Sequence, residues 1–447
     1  MQLPPSPQPP VNIGCFPDEI LCTIFRAAAP HPKLGTFTAP KRLEQFTLSH
    51  VSHHWRSVVL GDPLLWHSIH SNTRRKHNLE LCQLFLERSQ QAALNIQAMV
   101  PSAEEEQTFT SLFLPHIHRW GKVVLLCERS QLVTCLSRWS IAPLLESLDL
   151  RVSGVHDDQE AFNIPFLQGG APRLRYLNWP SLRLDGQPLN CPSLQELLLG
   201  PYDVSNFDDP PRETFHSVTS LVAPQLTRLV ARKYTITSPF RPPLPIQFDN
   251  LAQIELQIDT LTLWEFMEHC RFPKLDSVTI TLLLHATSFV FGGNPTPLSE
   301  VRNVDIGIDS FTQVDHNAAS LTILKLTQLF PNAVTLKTRP FTVHEEMILN
   351  GAVMGWPKLT SITANTASLA DVKRIVFDRR NHGYFTPLKK FNLQTIQGPC
   401  PREDYQYVSQ NVDLHVRMAK KPNSSGISEI GSLSPFPSYR LGGTGQL

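Results

Sequence analysis

The chain has 447 residues, a formal net charge of +1 and a hydrophobic content of 41%. This length allows two or three globular domains, or one elongated array with a sizeable core. The near-neutral charge balance gives no global signal for binding nucleic acid or an acidic membrane surface.

The first twelve residues are proline-rich and are predicted to be disordered. They lack the basic region and apolar core of a signal peptide, and no apolar run is long enough to span a membrane. Eight cysteines occur without C-x-x-C pairs, which argues against a zinc module or a disulfide scaffold. These features predict buried free thiols and an intracellular location, cytoplasmic or nuclear.

Two amphipathic helices are predicted between Phe16 and Leu60. The first opens with Pro17, followed by acidic residues that suit a helix N-terminus, and its apolar stripe comprises Ile20, Leu21, Ile24, Phe25 and Ala28. The second is predicted as one helix with an apolar face comprising Leu43, Phe46, Leu48, Val51, Trp55, Val58 and Val59. Trp66 follows as an apolar anchor. Such short helices bury little surface alone and require a partner.

Three stretches carry a resemblance to a known family: F-P-D-E-I-L-C-T-I-F, then L-S-H-V-S-H-H-W-R-S-V-V-L, then D-P-L-L-W. Together they resemble the F-box of basidiomycete-type F-box proteins, with departures at Phe16, where leucine is usual, and Ser52, where cysteine is frequent. The resemblance implies docking to a Skp-type adaptor and, through it, to a cullin. The residues it assigns to this interface and its supporting core are Phe16, Pro17, Ile20, Leu21, Ile24, Phe25, Leu48, Val51 and Trp55.

Residues 121–418 contain ten copies of an approximate P-x-L-x-x-L-x-L pattern. The copies begin at Pro143, Pro172, Pro192, Pro224, Asp249, Pro273, Ser299, Pro331, Pro357 and Leu388. Such a period indicates stacked repeats, because one strand cannot bury its apolar face alone. The pattern is similar to leucine-rich repeats, but it lacks the asparagine or cysteine that follows the third apolar position in that family. An irregular, degenerate array is therefore expected.

The expected fold class is α/β. A disordered proline-rich tail (1–12) precedes a short helical F-box (13–70) and a helical connector (71–120). An irregular leucine-rich-repeat-like solenoid with a parallel sheet follows (121–418), and a Ser/Gly/Pro-rich disordered tail ends the chain (419–447). Within and after the connector, N-I-Q-A-M-V (Asn95 to Val100) and V-V-L-L (Val123 to Leu126) are candidate strands.

No catalytic, metal or cofactor site is expected. His50 and His54 have the spacing of the H-E-x-x-H metal motif, but Val51 replaces the glutamate, and no third ligand is suggested. A second cluster, His156, Asp157, Asp158 and Glu160, is interpreted as a solvated loop. No nucleophile elbow, phosphate loop or dinucleotide fingerprint is present. The run from Arg74 to Lys76 is too short to indicate nucleic-acid binding.

The sequence therefore favours a non-catalytic substrate-recognition subunit of a Skp-cullin-F-box ubiquitin ligase. An unidentified target protein would bind polar residues on the predicted concave face: Asp149, Arg151, Asn178, Arg232, Glu255, Asp305, Lys337, Arg339 and Asn392. The alternative for each of them is an ordinary packed surface residue that binds no target. Among these, Arg151, Arg232 and Arg339 are the candidate target-binding residues. The main alternative is a repeat scaffold or ligand sensor whose F-box-like helices pack internally and bind no adaptor. A hydrolase hidden in the array is less favoured still.

Overall fold

The computed structural model describes residues 16–28, 44–72, 76–100, 102–152, 167, 169–179, 190–200, 222–234, 245–284, 296–310, 316–339, 345–398 and 400–417. The expected tails at 1–12 and 419–447, the cluster from His156 to Glu160 and the basic run Arg74–Lys76, apart from the backbone of Lys76, lie outside these residues. The fold class is α/β, as predicted, with one open parallel sheet of 14 strands across the described part of the chain.

The helices and strands alternate along most of the described chain. The α-helices are α1 (Asp18–Ala28), α2 (Glu44–Ser49), α3 (His53–Gly61), α4 (Lys76–Arg88), α5 (Ala103–Phe113), α6 (Arg129–Ser137), α7 (Thr260–His269), α8 (His316–Leu329), α9 (Glu345–Gly355), α10 (Leu369–Asn381) and α11 (Arg402–Asn411). None of these helices is long and apolar enough to cross a membrane.

The strands are β1 (Ser68–Asn72), β2 (Leu94–Val100), β3 (Trp120–Cys127), β4 (Ser147–Val152), β5 (Tyr176–Trp179), β6 (Glu196–Leu199), β7 (Arg228–Tyr234), β8 (Ile246–Gln247), β9 (Gln253–Asp259), β10 (Cys270–Arg271), β11 (Ser277–Leu284), β12 (Asn303–Ser310), β13 (Thr335–Thr338), β14 (Ser361–Ser368), β15 (Lys390–Gln397) and β16 (Asp413–Val416). In the large sheet they lie side by side in chain order, while β8 and β10 form a separate two-stranded sheet. Paired residues are 20 to 32 positions apart, the extremes being Tyr176 with Glu196 and Glu196 with Arg228.

One row of apolar side chains crosses all 14 strands in register. Its members are Ile69, Ile96, Val123, Leu148, Leu177, Leu197, Leu229, Ile254, Val278, Val304, Leu336, Ile362, Phe391 and Leu414. All except Leu414 are buried, in one cluster with helix residues such as Phe109, Leu132 and Val372. We call this side of the sheet the core face. Because strand side chains alternate, the intervening residues lie on the opposite side, the polar face.

The ten sequence copies each form a strand of the large sheet, giving β4–β7, β9 and β11–β15, and all but the copy at Leu388 begin in a turn. In most copies the N–H of the third motif position donates to the carbonyl of the residue before the motif. Leu145 bonds to Ala142 O at 3.2 Å in this way, and Leu359 to Trp356 O at 3.3 Å. The motif proline therefore lies at the second position of a β-turn, which its fixed φ favours. Its missing N–H costs no sheet hydrogen bond there.

Side chains at the second motif position tie neighbouring copies together. Asn250 Nδ2 donates to Pro224 O at 2.8 Å, and Asn332 Nδ2 donates to Ser299 O at 2.8 Å. Ser193 Oγ makes the equivalent bond to the carbonyl of Pro172, at 2.7 Å. These bonds satisfy turn carbonyls that the sheet does not reach.

The sheet begins earlier than the sequence analysis places the array. Strand β1 starts at Ser68, within the expected F-box range, and the expected helical connector 71–120 contributes all of β2 to the same sheet. The connector is therefore not helical throughout, and the candidate strand from Asn95 to Val100 is confirmed as part of β2. Leu94, Ile96 and Val100 are buried, and β2 pairs with strands on both sides, so this segment belongs to the core.

The second predicted helix is also corrected, because it is two helices. Helix α2 ends at Ser49, and α3 begins at His53 after a break. Ser52 caps the new helix, since its Oγ accepts the N–H of Trp55 at 3.1 Å. His50 and His54 consequently do not lie on one helix. Their i, i+4 spacing therefore does not place them on a common helix face, as the metal motif requires.

A buried carboxylate joins α9 to β14. Glu345, in the first turn of α9, accepts hydrogen bonds from the backbone N–H groups of Asn365 (2.6 Å) and Thr366 (3.0 Å). It also accepts the hydroxyl groups of Thr366, at 2.8 Å, and of Thr338. Each carboxylate oxygen therefore has two donors, which offsets the cost of removing the charge from water.

A buried guanidinium holds the next unit in the same manner. Arg379 on α10 is fully buried and donates to the carbonyls of Trp356 (3.1 Å), Leu359 (2.9 Å) and Thr386 (3.1 Å). Burial lowers the pKa of Arg379 to about 10, so the group is still charged at neutral pH. Its partners are the turn of one motif copy and the segment leading to the next.

Candidate binding surfaces

Helices α1 and α3 run side by side in the same direction. His54 Nε2 lies 2.8 Å from Asp18 Oδ1 at one end. At the other end, Arg26 donates through Nε and Nη2 to the two oxygens of Asp62, both at 2.8 Å. Asp62 is buried, and its carboxylate also accepts the N–H of Leu64 at 3.1 Å. The hydrogen bond to Asp62 raises the pKa of Arg26.

Aromatic side chains fix this helical unit, residues 16–28 and 44–66, to the sheet. Phe25 and Trp55 pack with ring centroids 4.7 Å apart. Trp66 is buried between Phe46 of α2 (5.7 Å) and Phe85 of α4 (5.2 Å), both in edge contact. Its indole N–H donates to Val59 O at 2.9 Å. Trp66 thus connects the unit to α4, which packs against β1.

The nine residues assigned by the resemblance divide by burial. Leu21 and Phe25 are core residues, and Phe16, Leu48 and Trp55 are half-buried. Ile20 is 47% exposed, Ile24 42% and Val51 57%. Pro17 is exposed as well. We call Pro17, Ile20, Ile24 and Val51 the docking surface, because these apolar groups face water in the isolated chain.

The three candidate target-binding arginines occupy different environments. Arg151 is buried on the polar face, where Nη2 lies 2.6 Å from Asp149 Oδ2. Asn178 Nδ2 donates to the other oxygen of Asp149, also at 2.6 Å. Arg151 is therefore part of a buried polar network. Arg232 and Arg339, in contrast, are accessible.

Arg232 and Arg339 converge on a charged cluster that also contains Glu255, Asp305 and Lys337. Arg232 Nη2 lies 3.4 Å, and Arg339 Nη2 3.3 Å, from the same oxygen, Glu255 Oε1. Lys337 Nζ lies 3.2 Å from Asp305 Oδ2, and Arg339 Nε lies 3.8 Å from Asp305 Oδ1. Two carboxylates thus face three cations.

Two glycines leave room for these arginines. A Cβ on Gly307 would lie 3.1 Å from Cβ and 3.2 Å from Cδ of Arg339, so the arginine stem passes directly over this strand position. Gly200 has φ of +139°, and a Cβ there would lie 2.4 Å from Arg232 O. Glycine is the residue that tolerates both the conformation and the approach. No local sequence pattern marks either contact.

The expectation of buried thiols agrees with the structure for most cysteines that it describes. Cys82, Cys127, Cys135, Cys191 and Cys270 are buried and unpaired with other cysteines, while Cys400 is exposed. Burial raises the pKa of Cys82 and Cys191 to about 11, and that of Cys135 to about 12. These three thiols are protonated at neutral pH and are poor nucleophiles.

Histidine and carboxylate groups form no metal-binding cluster within the described residues. His54 contacts Asp18, and His67 Nε2 lies 2.9 Å from Asn95 Nδ2. Burial lowers the pKa of His116. These contacts of His54 and His67 are hydrogen-bonding pairs with other residues of this chain.

Sequence reasoning missed the Arg26–Asp62 pair. It listed Glu255 among the polar candidates but did not predict that Arg232 and Arg339 share this carboxylate. Asp62 precedes Pro63 and has the sequence signature of a cap, but nothing marks Arg26 as its partner, 36 positions away. No protein-family model matches this chain, and no curated protein matches it significantly. The docking surface and the charged cluster are therefore the two features from which a function can be inferred.

Proposed function

We propose that this chain is the substrate-recognition subunit of a Skp-cullin-F-box ubiquitin ligase. Its N-terminal helical unit would be the F-box that binds the adaptor, and its sheet would be a leucine-rich-repeat-like solenoid that binds the target. The observation that carries this proposal is the exposure of Ile20 and Ile24, one turn apart on α1, together with Val51. The sequence resemblance places these three residues in the adaptor interface.

Exposed aliphatic groups at such spacing favour association with an apolar partner surface. A few anchors of this kind usually dominate an interface, each costing about 2 kcal/mol or more on truncation. The helical unit is also preorganised, because Arg26, Asp62 and Trp66 fix its helices before any partner arrives. Binding then orders little additional chain.

The role of the chain is noncatalytic in this proposal. The adaptor links it to a cullin, and the polar face of the sheet would hold the target near the ubiquitin-loaded partner. Holding two molecules together raises their effective concentration without any new chemistry in this chain. No cofactor or metal is required.

The alternative is a repeat scaffold whose N-terminal helices serve only its own stability. Leu21, Phe25 and Trp66 favour it, because they pack within the chain. The ligase subunit is preferred because the exposed Ile20, Ile24 and Val51 coincide with positions that the resemblance assigns to the adaptor interface and its supporting core.

The test is binding of the full chain to a purified Skp-type adaptor. We expect the wild type to co-purify with the adaptor, and Ile24→Asp to weaken binding on the order of tenfold or more, because it places a charge in an apolar contact. Leu324→Asp is the matched control, since Leu324 is an aliphatic residue 47% exposed on α8. Circular dichroism checks that both variants are folded.

Failure of the wild type to bind the adaptor would sink the proposal and favour the scaffold. Equal weakening by Ile24→Asp and Leu324→Asp would also contradict it, because the effect would not be specific to the docking surface.

A further inference from the structure

We propose that the charged cluster of Arg232, Glu255, Asp305, Lys337 and Arg339 binds an anionic side chain, carboxylate or phosphate, on a peptide segment of the target. This inference rests on the proposed target-binding role and adds the chemistry of recognition. Its starting point is the convergence of two guanidinium groups on one oxygen, Glu255 Oε1, at 3.4 and 3.3 Å. Together, Glu255 and Asp305 neutralise only two of the three cations of the cluster.

The exposure of the side chains sets the charge that a ligand meets. The carboxylates lie deep, with the side chains of Glu255 20% and Asp305 18% exposed. The cations lie above them, with Arg232 53%, Lys337 59% and Arg339 32% exposed. The mixed signs of these residues alone imply no ligand charge, but the layered arrangement presents positive groups outward. A guanidinium is suited to planar, two-oxygen anions.

The position of the cluster is fixed by the fold. Glu255, Asp305 and Lys337 occupy the same register row on β9, β12 and β13, and Arg339 crosses Gly307 to reach Glu255. The row itself is held by continuous strand pairing. The arginines are therefore oriented before a ligand binds, which reduces the entropy lost on association.

The charge pattern favours a single anionic group on a peptide over a nucleic acid. The chain has a formal net charge of +1, and the cluster already contains two carboxylates. Farther along the polar face, Glu196 pairs with Arg228 at 3.2 Å. A phosphate backbone would meet these carboxylates as well, whereas one anionic side chain need not.

The experiment uses the full chain, immobilised, and degenerate peptide pools with a fixed central residue: phosphoserine, glutamate or serine. We expect the phosphoserine or glutamate pool to be retained on the order of tenfold more than the serine pool at low salt, with the difference declining as salt is added. Comparison of the two anionic pools distinguishes phosphate from carboxylate.

Four variants locate the site. Arg232→Gln and Arg339→Gln should abolish the preference for anionic pools, because each removes one of the converging guanidiniums. Glu255→Gln should increase retention of the anionic pools several-fold, because it removes the carboxylate that competes for both arginines. Arg228→Gln is the control, since it changes an arginine on the same face that pairs with Glu196.

Equal retention of the three pools would overturn the proposal, as would loss of binding in Glu255→Gln. Stronger retention of a DNA duplex than of any peptide pool would replace the peptide with a nucleic acid. The assay contains no adaptor, so its failure is separate from failure of the adaptor-binding test.

Discussion

At the scale of single residues, burial separates side chains that the sequence pattern groups together. Ile20, Leu21, Ile24 and Phe25 form one apolar stripe at helical spacing, yet Leu21 and Phe25 are core residues, while Ile20 and Ile24 face water. Helical periodicity identifies the stripe but not which half meets α3, because that depends on how the helices cross. The candidate arginines divide for the same reason, since only tertiary packing buries Arg151.

The Arg26–Asp62 pair supports the first residue-level prediction. Asp62→Ala should destabilise the helical unit by about 2 kcal/mol, because it removes both the ion pair and the cap on Leu64 N–H. Asp62→Asn should cost about 1 kcal/mol, because the amide oxygen keeps the cap and Arg26 is partly exposed. Hydrogen exchange of α1 amides measures both values.

Asp18→Ala provides the comparison, because it removes the exposed contact with His54 at the other end of the same helices. We expect a change within about 0.5 kcal/mol. Equal protection of α1 amides in Asp62→Ala and the wild type would contradict the role assigned to Asp62.

At the scale of elements, the proline–leucine motif was the most informative signal. Its ten copies predicted ten strands, because the turn proline and the alternating apolar residues mark where a strand starts and which side is buried. Strand β2 was only a candidate, and its place in the sheet depends on pairing with β1 and β3 that no local pattern encodes. The break between α2 and α3 did have a signal, since Ser52 is a favoured N-cap residue, but the apolar stripe continued across it.

The contact between α9 and β14 gives a prediction at this scale. Glu345→Ala should destabilise the protein by about 2–4 kcal/mol, because it leaves the N–H groups of Asn365 and Thr366 buried without an acceptor. Glu345→Gln should cost less, because its amide keeps one oxygen acceptor. Urea unfolding measures the free energies, and exchange of the two amides tests the site.

Glu346 is the internal control, as an exposed glutamate in the same helical turn. Glu346→Ala should leave the free energy of unfolding within about 0.5 kcal/mol of the wild type. A comparable loss in the Glu346 and Glu345 variants would assign the effect to helix charge, and the buried contact would then contribute little.

At the scale of the whole molecule, each strand of the large sheet contacts mainly its two neighbours in chain order. Stability in such an arrangement is approximately a sum over units and the contacts between them. The apolar row across the core face runs through every strand of the large sheet, so each pair of neighbouring strands shares an apolar contact. The repeat pattern predicted this stacking, and β2 and β3 were candidate strands, but β1 and the pairing of these three strands with the array were found only in the structure.

Truncation at the C-terminal side tests whether stability is such a sum over neighbouring units. A chain ending at residue 398 loses α11 and β16, including the buried residues Val408 and Val412 and the Lys373–Asp404 contact at 2.7 Å. We expect the rest to remain folded, with faster hydrogen exchange confined to α10, β14 and β15. A chain ending at residue 417 is the control, because it keeps both elements. Faster exchange reaching β1–β4 would show a single cooperative unit instead.

The chain-order pairing of the strands also has a consequence for synthesis. Each strand of the large sheet meets its template within 20 to 32 residues, so no strand waits for a segment made much later. Folding can therefore proceed with translation, each new strand adding to an edge that already exists. The helical unit is synthesised before the sheet and contacts α4 through Trp66. It would therefore be complete before most of the sheet has been synthesised. In the proposed role, a nascent chain would then present its docking surface before it can hold a target.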